Sequence, residues 1–172
     1  MLMLEAFFTE SSRESYKCKV IVLKEGMIAN RIGLIKKGGL RMFLDKDGEE
    51  VTFQFMFEGS LISSFESFWT GEPSAYSVET IEETEIYWIE KEVFESILSD
   101  NQSLKIAFQD YIINRMLAYQ RLFLSRIKYS PEERYKQLQT LSPELLQRVP
   151  QHYIASYLGI TAVSLSRIRN RR

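Results

Sequence analysis

No aspartate or glutamate follows Glu144, yet Arg148, Arg167, Arg169, Arg171 and Arg172 all lie beyond it. Residues 1 to 144 carry 17 Lys and Arg against 23 Asp and Glu, so the positive charge is gathered at one end of a chain whose formal net charge is only −1. Guanidinium groups gathered without carboxylates suit one chemistry above others, the recognition of phosphate, where a negative side chain would be repelled. The bulk charge is silent on nucleic acid, but its distribution is not.

The spacing within "QHYIASYLGITAVSLSRIRN", which begins at Gln151, meets the demands of a helix-turn-helix. A first helix would bury Ile154 and Leu158, with Ala155 small enough for a second helix to cross closely. Gly159 supplies the positive φ that the turn needs, and Ile160 fills the space beneath it. Thr161 caps a second helix that buries Leu165 and Ile168. Its outer face then presents Ala162, Val163, Ser166 and Arg167 to base edges. Gln151, His152, Thr161, Ser164, Arg169, Arg171 and Arg172 are placed to meet backbone phosphates. The competing reading is an antiparallel helix pair with a solvated basic end.

Other chemistries lack their residues. Cys18 is the sole cysteine, so no intramolecular disulfide, iron-sulfur cluster or cysteine-based zinc site is expected, and a reducing, cytoplasmic setting follows. His152 is the sole histidine, so residues 1 to 151 offer none for a metal centre, and no metal or other cofactor is expected. No nucleophile paired with a base and no phosphate-binding glycine loop is present, which argues against an enzyme. No run approaches the ~20 apolar residues of a membrane span. "MLMLEAFFTESSRES" lacks the basic start of a secretory signal.

These groups need elements to position them. Residues 16 to 90 read as short β-branched or aromatic runs punctuated by glycine, with the clearest hairpin at Asp47-Gly48. Many short strands predict a compact antiparallel barrel or jelly roll. From Glu92 to Lys128 glycine and proline vanish, and Leu104, Phe108, Ile112, Met116, Tyr119, Phe123 and Ile127 recur at helical spacing. A second row, Ile106, Ile113, Leu117 and Leu124, widens the apolar face, predicting contact with the roll on one side and a second copy on the other. Packing within one monomer alone is the alternative. "SPEE" at 130–133 forms a capping box, with the hinge near Tyr129 to Pro131, and "SPEL" at 142–145 partly repeats it. The expected organisation is a β-roll at 1–100, a long helix and hinge at 101–130 and an all-helical unit at 131–172.

In that order these parts resemble the cyclic-AMP receptor protein and fumarate-nitrate regulator (CRP/FNR) superfamily of bacterial transcription factors. The carriers are "VIVLKEG", "IGLIKKGGLRMFLDKDGEEVTFQFMFEG" and "RVPQHYIASYLGITAVSLSRIR", the last similar to a "VPxxYIASYLGI" run frequent in the branch common in Bacteroidetes. The resemblance implies an α+β chain: an N-terminal antiparallel β-roll of the cyclic-nucleotide-binding jelly-roll type, a long dimerisation helix and a C-terminal helix-turn-helix. It implies a homodimer reading a palindromic promoter site in double-stranded DNA, with RNA polymerase as a further partner and no membrane partner. Relatives carry a β-hairpin wing after the recognition helix, and none is expected here. They bind nucleotide through a Gly-Glu-Leu and an Arg-Ser-Ala motif; the matching stretches are Gly59-Ser60-Leu61 and Pro73-Ser74-Ala75. Serine replaces the ribose carboxylate and proline replaces the phosphate-binding guanidinium, so these six residues mark an effector pocket from which cyclic AMP is expected to be absent. "ISSFESFW" (62–69) either fills that pocket as core or lines one for an apolar effector. Val163 stands where relatives often carry glutamate, which changes the base expected there. A β-roll module whose helix-turn-helix no longer binds DNA is the alternative function.

Overall fold

The computed structural model describes residues 5–9 and 11–170. Eight strands form two antiparallel sheets: β1 (Ser12–Tyr16), β8 (Thr84–Glu90), β3 (Arg31–Lys37) and β6 (Leu61–Ile62) in one, and β2 (Ile21–Leu23), β7 (Ser77–Thr80), β4 (Gly39–Lys46) and β5 (Glu49–Phe57) in the other. The β4–β5 hairpin turns on Asp47 (φ 56°) and Gly48 (φ 85°), and the Gly48 N–H donates to Asp45 Oδ1 at 2.9 Å. Positive φ at both central residues matches the twist of the flanking strands, which is why Asp-Gly marked the turn. Ile35, Leu40, Met42, Met56, Ile62, Val78, Ile86 and Trp88 fill the space between the sheets. Gly33 is required there by close approach, because a Cβ would lie 2.6 Å from Ile86 Cγ2.

Two expectations need correction in the roll. β1 precedes the region read as strands; its sequence SRESY has no apolar alternation to announce it, because it is an edge strand with mostly exposed side chains. Its register on β8 is supported by Arg13–Glu85 at 2.6 Å. Nor are residues 16–90 strands and turns throughout: Phe65–Thr70 form helix α1, closed by Gly71 at φ 77°. The aromatic run 62–69, read as core filling or pocket lining, sends Phe68 into the core with Phe7, Phe94 and Phe108.

Helix α2 (Lys91–Asp100) ends at Asn101, whose side chain accepts from the Leu104 N–H and so starts α3 (Gln102–Lys128). At 27 residues α3 runs roughly 40 Å. Phe108 is its one fully buried side chain, while Ile106, Ile113, Met116, Leu117, Phe123, Leu124 and Ile127 lie exposed. The capping box at Ser130 and Glu133 forms as expected and begins α4 (Pro131–Leu141). Short helices α5 (Pro143–Arg148), α6 (Gln151–Leu158) and α7 (Ala162–Asn170) complete the chain; Ser142 precedes α5 without a side-chain cap bond.

Candidate nucleic-acid interface

The helix-turn-helix geometry arises from a few backbone bonds. Gly159 takes φ 70°, its N–H donates to Ser156 O at 2.9 Å, and the Ile160 N–H reaches back to Ala155 O at 3.0 Å. These bonds satisfy carbonyls at the end of α6 and turn the chain tightly into α7. Ile154, Ala155, Leu158 and Leu165 are buried together, with Ile160 and Ile168 packed against them. Thr161 caps α7 by accepting from the Ser164 N–H at 3.2 Å, and its hydroxyl donates to Ser164 Oγ at 3.0 Å.

The outer face of α7 is open. Ala162, Val163, Ser166, Arg167 and Arg169 are exposed, as are Gln151 and His152 at the start of α6. Arg167 and Arg169 have no carboxylate within 4.0 Å among the described residues, unlike the arginines of the roll. Thr161 and Ser164 sit at the helix start, where their hydroxyls already serve the cap. Arg171 and Arg172 lie outside the described residues.

Arg148, counted with the basic tail, belongs elsewhere. Its guanidinium donates to Glu58 Oε1 at 2.8 Å and to Glu82 Oε1 at 2.5 Å and lies 4.4 Å over the Phe57 ring, facing the roll. Hydrogen bonding from Arg148 holds the Glu58 carboxyl down at about 2, against burial that acts in the opposite direction. The same pair of glutamates raises the Arg148 guanidinium further above its ordinary value.

Sequence reasoning missed the surface that fixes the helix-turn-helix in place. Arg41, fully buried in the second sheet, donates from Nε to Glu79 at 2.7 Å, pairs with Glu50, and lies between the rings of Phe43 and Tyr153 at 4.1 and 3.9 Å. The Tyr153 hydroxyl donates to the same Glu79 at 3.2 Å, and burial pushes its pKa up to about 12. Ser156 Oγ donates to Glu50 O and accepts from the Thr52 N–H, both at 2.9 Å. The first helix of the motif is thus seated on the β4–β5 hairpin. An arginine in the middle of an otherwise apolar strand, with glutamates at 50 and 79, was the available signal.

The residues expected to form the effector pocket are held by bonds within the roll and to α3. Gly59 donates to Ile35 O at 2.9 Å, Ser60 donates to Phe57 O, and the buried Leu61 donates its N–H to the Tyr111 hydroxyl of α3 at 2.9 Å. Pro73 and Ala75 are exposed. Ser74 is buried, with its hydroxyl donating to Tyr76 O at 2.7 Å. One recess of the roll, of ≈ 80 Å³, is walled by Ala29, Ile62, Ser63, Val78 and Trp88 among others, and a second, of ≈ 350 Å³, by Tyr16, Lys17, Lys37 and Glu85 among others; none of the six expected residues lines either. The one cation of the smaller recess, Arg31, is stacked on Trp88 at 4.2 Å and paired with Glu14 at 2.7 Å. Among the described residues no group of three or more His, Cys, Asp or Glu side chains is placed to hold a metal ion. No described helix is long and apolar enough to cross a membrane.

A jelly roll followed by a long helix and a terminal helical unit defines the CRP-like architecture. The chain belongs to the cyclic nucleotide-binding domain family, which matches residues 13–101. The cyclic-di-GMP-responsive global regulator CLP of Xanthomonas campestris has a similar structure, with TM-score 0.78 at 18% identity over 96% of this chain and 88% of that one. FixK2 of Bradyrhizobium japonicum follows at 0.76 and 17% identity, over 92% and 82%. The catabolite activator protein of Thermus thermophilus is similar at 0.60 and 19%, over 98% and 81%. Among curated protein sequences nothing matches the chain.

Proposed function

We propose that the protein is a homodimeric, sequence-specific DNA-binding transcriptional regulator that does not respond to cyclic AMP. The observation that carries this reading is the free face of α7: a tightly turned helix-turn-helix holding Arg167 and Val163 outward, with no carboxylate after Glu144. Arg167 is assigned to guanine, whose O6 and N7 accept a bidentate guanidinium, and Val163 packs against a thymine methyl. Gln151, His152, Arg169, Arg171 and Arg172 are assigned to phosphates, with Thr161 and Ser164 adding a contact only through lone pairs left by the cap. Val163 in place of a carboxylate sets the operator apart from the family consensus. Regulators among proteins of the same fold support this reading. RNA polymerase is the partner that activation would require.

The exposed row on α3 supports dimerisation. Ile106, Ile113 and Ile127 fall seven or fourteen residues apart, with Met116, Leu117, Phe123 and Leu124 flanking the same seam. Two copies paired there would present their α7 helices about one turn of DNA apart, ~34 Å.

Against cyclic nucleotide stand the small recess beside Trp88 and the missing motif arginine. At ≈ 80 Å³ that recess is well below the ~300 Å³ at which small-molecule sites begin. At the position of the family's arginine stands exposed Pro73, and the hydroxyl of Ser74 is already bonded to Tyr76 O. These residues do not fit the ligand. Thermal melts with cyclic AMP and cyclic GMP are expected to show no shift; a rise of several degrees with either contradicts this part.

DNA binding is tested by fluorescence anisotropy on an enriched duplex and a scrambled one at two salt concentrations. The reading expects tight, strongly salt-dependent binding to the first, and at least ~10³-fold weaker binding to the second. Equal, weak affinity for both would leave a β-roll module with a structural helix pair.

A further inference from the structure

Helix α1 carries an indole that the roll leaves uncovered. Ser67 and Phe68 are buried on its inner side, and the Ala29 N–H donates to Ser67 Oγ at 2.9 Å, which fixes the rotation of the helix about its axis. Phe65 and Trp69, four residues apart, are thereby turned together toward α3. Trp69 remains 45% exposed. Its ring is braced all the same: it meets Phe68 edge-on at 5.5 Å and lies 6.4 Å from Phe94 and 6.3 Å from Phe108.

α3 supplies the facing wall. Phe108 and Ile112 stand one turn apart, as do Gln109 and Ile113, and with Phe65 and Trp69 they border a groove of ≈ 670 Å³. That volume falls within the ~300–1,000 Å³ of small-molecule sites, and aromatic and aliphatic walls with a few placed polar groups are the usual lining of such sites. Neither the outer face of α7 nor any of the six expected effector residues contributes to it.

The charges on its walls are of one sign. Glu66 of α1 and Asp110 of α3 line the groove, and no lysine or arginine does. Among the described residues neither carboxylate has a cation within 4.0 Å. Lys91 of α2, 5.5 Å over the Phe68 ring, pairs with Glu95 at 3.9 Å instead. Lys105, one turn before Gln109, is exposed and pairs with neither.

An indole face beside unmatched carboxylates is suited to an organic cation. The ring quadrupole attracts the charge, the apolar walls take up the carbon body, and the carboxylates at the rim balance the charge. We propose that the groove between α1 and α3 binds a small apolar cation, an aromatic or alkyl-rich molecule with a single positive charge. An anion would meet two carboxylates there. A second α3 paired in register would bring a second Asp110 rather than a cation, so pairing does not supply the missing charge. Ile113 belongs both to this groove and to the exposed row of α3, so an occupant lies beside the seam of a pair. Any influence on pairing rests on the dimer reading; the binding itself does not.

Calorimetric titration of the purified chain, without DNA, with tetraphenylphosphonium and tetraphenylborate tests this, because the two ions are closely similar in size and opposite in charge. The phosphonium is expected to bind at least about tenfold more tightly than the borate. Glu66→Gln together with Asp110→Asn should reduce that preference to about twofold, and Trp69→Ala should weaken phosphonium binding about tenfold. Thermal melts check that both variants stay folded. Glu66 and Asp110 are exposed, so the carboxylate variant keeps the test decisive should Trp69→Ala unfold. Absence of phosphonium binding, as when a second copy closes the groove, overturns the proposal. So does borate binding as tight as the phosphonium, which makes the groove a general apolar patch, or a preference unchanged in the folded variants, which places the cation elsewhere.

Discussion

Arg41 joins the second sheet to the first helix of the helix-turn-helix through a buried charge. Its charge is buried between two rings and held by Glu79 and Glu50, so replacing it by methionine would leave Glu79 buried without its cation. Such a loss costs about 3–5 kcal/mol, whereas Tyr153→Phe, which removes one hydrogen bond to the same carboxylate, costs about 1 kcal/mol. Urea unfolding of the two variants checks the contrast. Glu58 gives a pH-dependent version of the same linkage between roll and C-terminal helices. Its carboxyl is held near 2 against an ordinary 4.5, so the Arg148 contact contributes fully above about 4.5 and is lost as pH falls through about 2. The stability difference between the wild type and Glu58→Gln should therefore shrink across that window in thermal melts; a difference independent of pH would contradict it. At the proposed base-reading position, Arg167→Ala should cost about 1–3 kcal/mol of operator affinity and relax selection at one base per half-site. Uniform weakening on all sequences would make Arg167 a phosphate contact.

Among the elements, α3 is the one whose surface is least explained by the monomer. Its inner side packs through Phe108, Tyr111 and Ile112, yet Met116, Phe123 and Ile127 are more than 60% exposed. An apolar stripe of that length calls for a partner, and its heptad spacing fits a second α3. Ile113→Asp together with Leu124→Asp should leave a folded monomer in sedimentation velocity and abolish tight operator binding. An unchanged dimer would place the interface elsewhere. The helix-turn-helix was the most legible element, because each constrained position (Ala155, Gly159, Ile160, Thr161, Leu165) has a residue type that few other roles require together. The hairpin at Asp47-Gly48 and the capping box at Ser130 were legible for the same reason. β1 and α1 were not: SRESY has an edge strand's polarity, and FESFWT is apolar in a way that fits strand and helix alike over so few residues.

Across the whole molecule, the order of roll, long helix and terminal helices was readable because hydrophobic period changes from two to 3.6 near residue 91 and turn residues change with it. Relations between distant segments were not readable. The seating of Tyr153 on Arg41, Arg148 on Glu58 and Arg126 over Tyr157 join residues up to 112 positions apart (Arg41 to Tyr153), and no local spacing encodes them. Through these contacts the helix-turn-helix is held against the roll by a buried ionic network, while the outer face of α7 stays exposed. The central claim is that this free face reads DNA as a symmetric pair. Selection of bound duplexes from a random pool by the purified protein tests it most directly. The account predicts enrichment of a palindrome whose half-sites lie about 10 base pairs apart, centre to centre, each with a guanine that Arg167→Ala no longer selects. Failure to enrich any sequence, or enrichment of a single unrepeated half-site by a dimeric protein, would contradict it.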